Sequence, residues 1–114
     1  RDGSWSRGLG DVYQRQAEAL APLAEHRLVG EVRTYGMLAA IELVKSKDGL
    51  ELFADTGTVG AICRDHAIAG GLMMRAVRDA MILSPPLTFT RNDIDETVRI
   101  ARRALDLTAD QLGL

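Results

Sequence analysis

The sequence predicts an α+β domain: a small antiparallel sheet covered by helices on one face. Helix-period stripes and strand-type runs follow one another as helix, interrupted strand, helix, strand, strand, helix, the order expected of such a layered fold. The last two strand runs are separated only by Arg78-Asp79, room for a tight hairpin and not for a parallel crossover. The chain has 114 residues and 46% hydrophobic content, enough for one modest core and no second domain.

Taken in order, Val12, Gln16, Ala19, Leu20, Leu23 and Ala24 set a stripe along a helix from about Leu9 to His26, behind a tail of residues 1–8. Pro22 lies inside it, where a missing donor and a clash with the preceding turn kink or break the helix. Glu31 to Lys45 is strand-like, with Val32, Tyr35, Ile41 and Val44, and Gly36 within it reads as a bulge. Ser46-Lys47-Asp48-Gly49 is a polar turn. A second helix begins near Thr56 or Gly57, gathers Val59, Ile62, Cys63, His66 and Ala67 on one face and ends at Gly70-Gly71. Leu72 to Val77 and Ala80 to Ser84 are short strands, and Pro85-Pro86 stops the second. The last helix has Thr90 as N-cap, Asp93, Asp95 and Glu96 where the helix dipole favours anions, and a buried stripe of Ile94, Val98, Ala101 and Leu105.

Composition narrows the function classes. A formal net charge of −2, with acidic and basic residues mixed along the chain, lacks the basic footprint of a nucleic-acid or anionic-membrane binder. No apolar run approaches the roughly 20 residues of a membrane span, and Arg1-Asp2-Gly3-Ser4-Trp5-Ser6 has no signal-peptide hydrophobic core, so the expected location is cytoplasmic. Cys63 is the single cysteine and is joined only by His26 and His66, so neither a disulfide nor a metal site is expected. The chain opens at Arg1 without an initiator methionine, which predicts a piece of something longer.

One residue stands out chemically. Within Gly70-Gly71-Leu72-Met73-Met74-Arg75-Ala76-Val77, strand alternation puts Met73, Arg75 and Val77 on one face and Leu72, Met74 and Ala76 on the other. A guanidinium in an apolar wall is costly unless an anion meets it. Two partners are open at this level: Glu42, from the other strand run, in a structural ion pair, or the carboxylate of a substrate held in a bidentate clamp. The other candidates are weak. Gly57 and Gly60 precede a helix but lack the Lys-Ser/Thr ending of a P-loop. His66 lies on an apolar helix face and Cys63 mid-helix, where packing is the ordinary role. Ser84 lacks the glycine-flanked turn of a nucleophile elbow. Lys45 and Lys47 sit in a watery turn, without the apolar pocket that activates a Schiff-base lysine. Arg99, Arg102, Arg103, Asp106 and Asp110 read as a solvated helix face.

Three blocks carry a resemblance: Leu28 to Val44 (LVGEVRTYGMLAAIELV), Gly71 to Val77 (GLMMRAV), and Ile82-Leu83-Ser84-Pro85-Pro86-Leu87 followed by Thr90 to Glu96 (TRNDIDE). In this order they closely resemble the carboxy-terminal small domain of class III pyridoxal-phosphate aminotransferases, over residues 9–114, and most of all the ω-amino acid:pyruvate and amine:pyruvate transaminases. The resemblance implies the small domain of a fold-type I enzyme. Its pyridoxal phosphate would sit in an upstream large domain of a homodimer, and this chain alone would bind no cofactor and supply no catalytic residue. It also implies that Arg75 is the mobile arginine that binds the substrate α-carboxylate and swings aside for amines without one. Where family members usually carry glycine the chain has Arg78, a second cation beside Arg75; Thr34 replaces a common glycine and Arg27 a common proline. The expected function is therefore the carboxylate-binding domain of a transaminase that moves an amino group from an ω-amino acid or amine to a keto acid such as pyruvate. A non-catalytic α+β association module is the alternative.

Overall fold

The computed structural model describes residues 14–35, 38–47, 51–54, 57–84 and 91–114. Residues 14–20 are helical (α1), and at Pro22 the helix tightens into a 3-10 segment, Ala21–Glu25. The break expected at Pro22 is there because a proline in the first turn of the tighter helix gives up no donor that would otherwise be bonded. The expected tail and the first turn of the predicted helix lie outside the described residues.

The run from Glu31 to Lys45 is two strands and not one: β1, Val29–Tyr35, and β2, Leu38–Leu43, pair antiparallel with Tyr35 opposite Leu38. Gly36, expected at a bulge, falls outside the described residues; the register irregularity of this pair lies between Val29 and Glu31. Both arms carry strand composition, so residue type alone could not separate them. Of the expected polar turn, Asp48 and Gly49 lie outside the described residues; Ser46 and Glu51 form a bridge, with Glu51 N–H donating to Ser46 O at 2.9 Å.

Helix α2, Thr58–Ala69, leads to β3, Arg75–Val77, and β4, Ala80–Leu83, which form the expected hairpin through Arg78-Asp79. The four strands lie in the order β1-β2-β4-β3, all antiparallel. Helix α3, Arg91–Leu112, closes the described structure; its expected N-cap, Thr90, is outside the described residues.

The sheet has two unlike faces. Ala39, Ile41, Leu43, Met81, Leu83 and Met74 alternate onto one of them and are buried with α2 and α3. Each fully buried aliphatic or methionine side chain there contributes about 1.5–3 kcal/mol over exposure. The inner faces of α2 and α3 are rich in small residues: Cys63 and Ala67 on one, Ala101, Ala104, Thr108 and Ala109 on the other. Small side chains let the two helices approach closely. The expected stripe of α3 is buried at Ile94, Ala101 and Leu105 and half-buried at Val98. The far end of α3 is tied back by His26: the Leu28 N–H donates to its Nδ1 at 3.2 Å, so the proton is on Nε2, which donates to Asp106 at 2.8 Å.

Candidate functional site

Arg75 stands on β3, an edge strand paired on one side with β4, and projects from the open face of the sheet. The expected alternation holds. Met73 is 77% exposed, Val77 49%, and Arg75 is exposed between them, whereas Leu72 and Met74 are buried and Ala76 is half-buried. The apolar wall in which sequence reasoning set Arg75 is therefore an open surface in this chain, because β3 is the last strand and no described element lies over its outer face. The Arg75 side chain forms no hydrogen bond or ion pair among the described residues.

Glu42, the anion considered as its structural partner, is paired with Arg33. The sheet register explains why. Arg33 faces Ala40, Ala40 faces Ile82, and Ile82 faces Arg75, so the two arginines share one transverse row. Glu42 lies in the next row, opposite Ala80, which in turn faces Val77. From Glu42 the diagonal to the adjacent strand is about 7–8 Å. To Arg75, two strands away, it is about 12 Å. Arg33 is nearer by a strand and takes the carboxylate.

Beside this row an open concavity of about 700 Å³ is lined by Arg33, Glu42, Phe53, Val77, Arg78 and Ile82 among others. Arg75 lies outside its lining, so the described chain offers an arginine on a flat strand face and no finished pocket around it.

The hairpin that carries Arg75 is tied to α2 at both ends. Arg78 adopts φ +56°, the left-handed region that suits glycine and costs other residues about 1–2 kcal/mol. A positive φ at the first central position is what a two-residue hairpin turn demands, and glycine meets it without strain. Asp79, next in the turn, accepts the Gly57 N–H at 3.1 Å and the Gly60 N–H at 2.9 Å through one carboxylate oxygen. Sequence reasoning missed this role. Its only trace was an N-cap position, Gly57, with no side chain to cap its own helix. The start of α2 is thus occupied by an anion of the chain itself.

The remaining candidates serve the fold. Burial pushes the Cys63 thiol up to about 11, against a smaller opposing effect of its hydrogen bond with Thr108. His66 Nε2 donates to Gln111 on α3 at 2.9 Å. Lys47 donates to the Ala24 carbonyl at 2.5 Å and Lys45 is exposed. Arg99, Arg102, Arg103, Asp106 and Asp110 are exposed, Arg99 forking onto Glu96. Among the described residues no group of three His, Cys, Asp or Glu side chains could hold a metal ion, and no helix is long and apolar enough to cross a membrane.

An α+β layer with a four-stranded antiparallel sheet is the architecture of the carboxy-terminal region of transaminases, and this chain belongs to the aminotransferases. It is 55% identical over 87 residues, 76% of its length, to a putrescine–pyruvate aminotransferase of Pseudomonas aeruginosa. It is 35% identical over 114 residues, 98% of its length, to a diaminobutyrate–2-oxoglutarate transaminase of Halomonas elongata. Among solved structures, the ω-transaminase of Pseudomonas jessenii in complex with PMP superposes with a TM-score of 0.87 at 30% identity, over 98% of this chain and 25% of that one. No protein-family model matches. The chain spans about a fifth to a quarter of the length of these relatives: 19% and 24% of the two aminotransferases.

Proposed function

We propose that this chain, from about residue 9 to residue 114, is the small domain of a class III pyridoxal-phosphate transaminase, and that Arg75 binds the carboxylate of its keto-acid or amino-acid substrate. The observation that carries the reading is the state of Arg75: an exposed guanidinium with no partner among the described residues, flanked by exposed Met73 and Val77, with the nearby strand carboxylate already taken by Arg33. A planar fork of donors with no internal anion suits a carboxylate, which accepts two parallel hydrogen bonds. The exposed apolar neighbours suit a surface that the rest of the enzyme covers, and drying the surroundings would strengthen that pairing.

Pyridoxal phosphate would supply the amino-group chemistry when bound, but the described residues do not fit it. The lysines lie in a turn, one of them engaged by a backbone carbonyl, and the start of α2 is filled by Asp79. The part of this chain is therefore to bind and orient. The large domain and a second subunit would hold the cofactor, in a cytoplasmic homodimer. The similarity to a putrescine–pyruvate aminotransferase supports an amine or ω-amino acid as donor and pyruvate as acceptor. The test is Arg75→Ala in the full-length, cofactor-loaded protein. The expected result is a loss of about 2–3 kcal/mol in kcat/KM for pyruvate, the worth of a charge-assisted contact, with the half-reaction of putrescine little changed. Equal losses for both substrates would contradict the clamp.

A further inference from the structure

We infer that Asp79 is a positioning residue for Arg75, acting by capping helix α2 from the β3–β4 turn; the inference rests on the clamp reading of Arg75. Helix α2 starts at Gly57, in the left-handed region at φ +99° and without a side-chain cap of its own. The first amides of a helix need acceptors from outside it. The two that Asp79 satisfies, Gly57 at the N-cap and Gly60 three residues on, are the pair that a capping box satisfies from within a helix. Here one oxygen, from 22 and 19 residues away, serves both. Contact is close enough that a Cβ on Gly60 would stand 2.2 Å from the Arg78 carbonyl oxygen.

The other end of the arm is fastened to the same helix. Gly71, at φ +97°, donates to Ile68 O at 2.9 Å and Leu72 donates to Ala67 O at 2.8 Å, a Schellman closure of α2. Arg75 therefore lies midway along a segment, Leu72 to Asp79, whose two ends are held by the two ends of one helix. A 12-residue helix is about 18 Å long. Seven extended steps reach about 23 Å, so the arm has little slack. Helix α2 is itself fixed in the core by Val59, Cys63 and Ala67. β3 is three residues long and paired only to β4, so this tether, more than the ladder, sets the height of Arg75 over the sheet. Removing the Asp79 carboxylate frees the turn end and leaves the Schellman end intact: the clamp shifts without the fold being lost.

The experiment uses the full-length enzyme loaded with pyridoxal phosphate, with pyruvate and putrescine half-reactions measured separately for Asp79→Ala, Asp79→Asn and Arg75→Ala. A misplaced binding group costs up to about 100-fold. For Asp79→Ala we expect a rise in KM for pyruvate of roughly ten-fold, with kcat/KM for putrescine within about two-fold. Asp79→Asn keeps an oxygen acceptor for both amides and restores the pyruvate KM. If Asp79→Ala does not fold, Asp79→Glu, which keeps the charge on an arm one methylene longer, is measured instead and raises the pyruvate KM in the same selective way. Equal effects on both substrates, or an asparagine variant as impaired as alanine, would overturn the positioning role. Arg75→Ala separates the two readings. If it is selective for pyruvate and Asp79→Ala is not, positioning alone fails; if it is unselective, the clamp fails and the inference falls with it.

Discussion

The two faces of the sheet obey different rules. On the helix-covered face Ala39, Ile41, Leu43, Met81 and Leu83 are almost wholly buried, and their identity is set by volume and apolarity. On the other face the same strands present the Arg33–Glu42 ion pair, half-buried Ile82, and exposed Arg75 and Val77. A strand alternates strictly, so one run of residues serves both rules at once: Met74 and Ala76 hold β3 down while Met73, Arg75 and Val77 remain available above it. Stability and recognition are thus separable by parity along a single strand.

That separation can be broken from either side. The largest effect should come from the packed face: Ile41→Ala removes a fully buried side chain from a central strand and should destabilise the protein by about 3 kcal/mol, read from the denaturant midpoint. Across the sheet, Arg75→Ala should leave that midpoint within about 0.5 kcal/mol while removing the pyruvate preference described above. A midpoint shift comparable to that of Ile41→Ala would mean that Arg75 is structural after all.

Smaller effects sharpen the contrast. Cys63, under the packed face, holds its thiol at about 11 against an ordinary 9.0. Between those values the unfolded chain has lost the thiol proton and the folded chain retains it. Folding stability should therefore fall as pH rises from about 9 to about 11, by at most about 1.4 kcal/mol per pH unit. Below 9 Cys63 should add no pH dependence, and Cys63→Ala should lack the slope in parallel urea titrations. The smallest change belongs to the turn. Arg78→Gly relieves a left-handed arginine and should raise stability by about 1 kcal/mol, visible as a modest increase in Tm.

Much of this could be read before any coordinates. The alternation of Leu72 to Val77, the two-residue turn at Arg78-Asp79 and the glycine end of α2 are local, and the structure keeps them. The division of Glu31 to Lys45 into two strands escaped notice because both arms share one composition. Whether Glu42 pairs with Arg75 stayed open in the sequence because it depends on strand order: only with β4 between β2 and β3 does Arg33 become the nearer cation.

Asp79 marks the same boundary most sharply. Its sequence announces a turn, and a turn is what it makes, since backbone preferences act over two or three residues. That its carboxylate closes a helix starting 22 residues earlier follows only from the stacking of hairpin on helix, since a hydrogen bond reaches about 3 Å and nothing along the chain states which distant donors will lie within it. The sequence by itself determined most of the elements, their alternating faces and the face on which Arg75 stands. The tertiary structure decided which charges meet, because pairing is a matter of ångströms and strand order sets the ångströms.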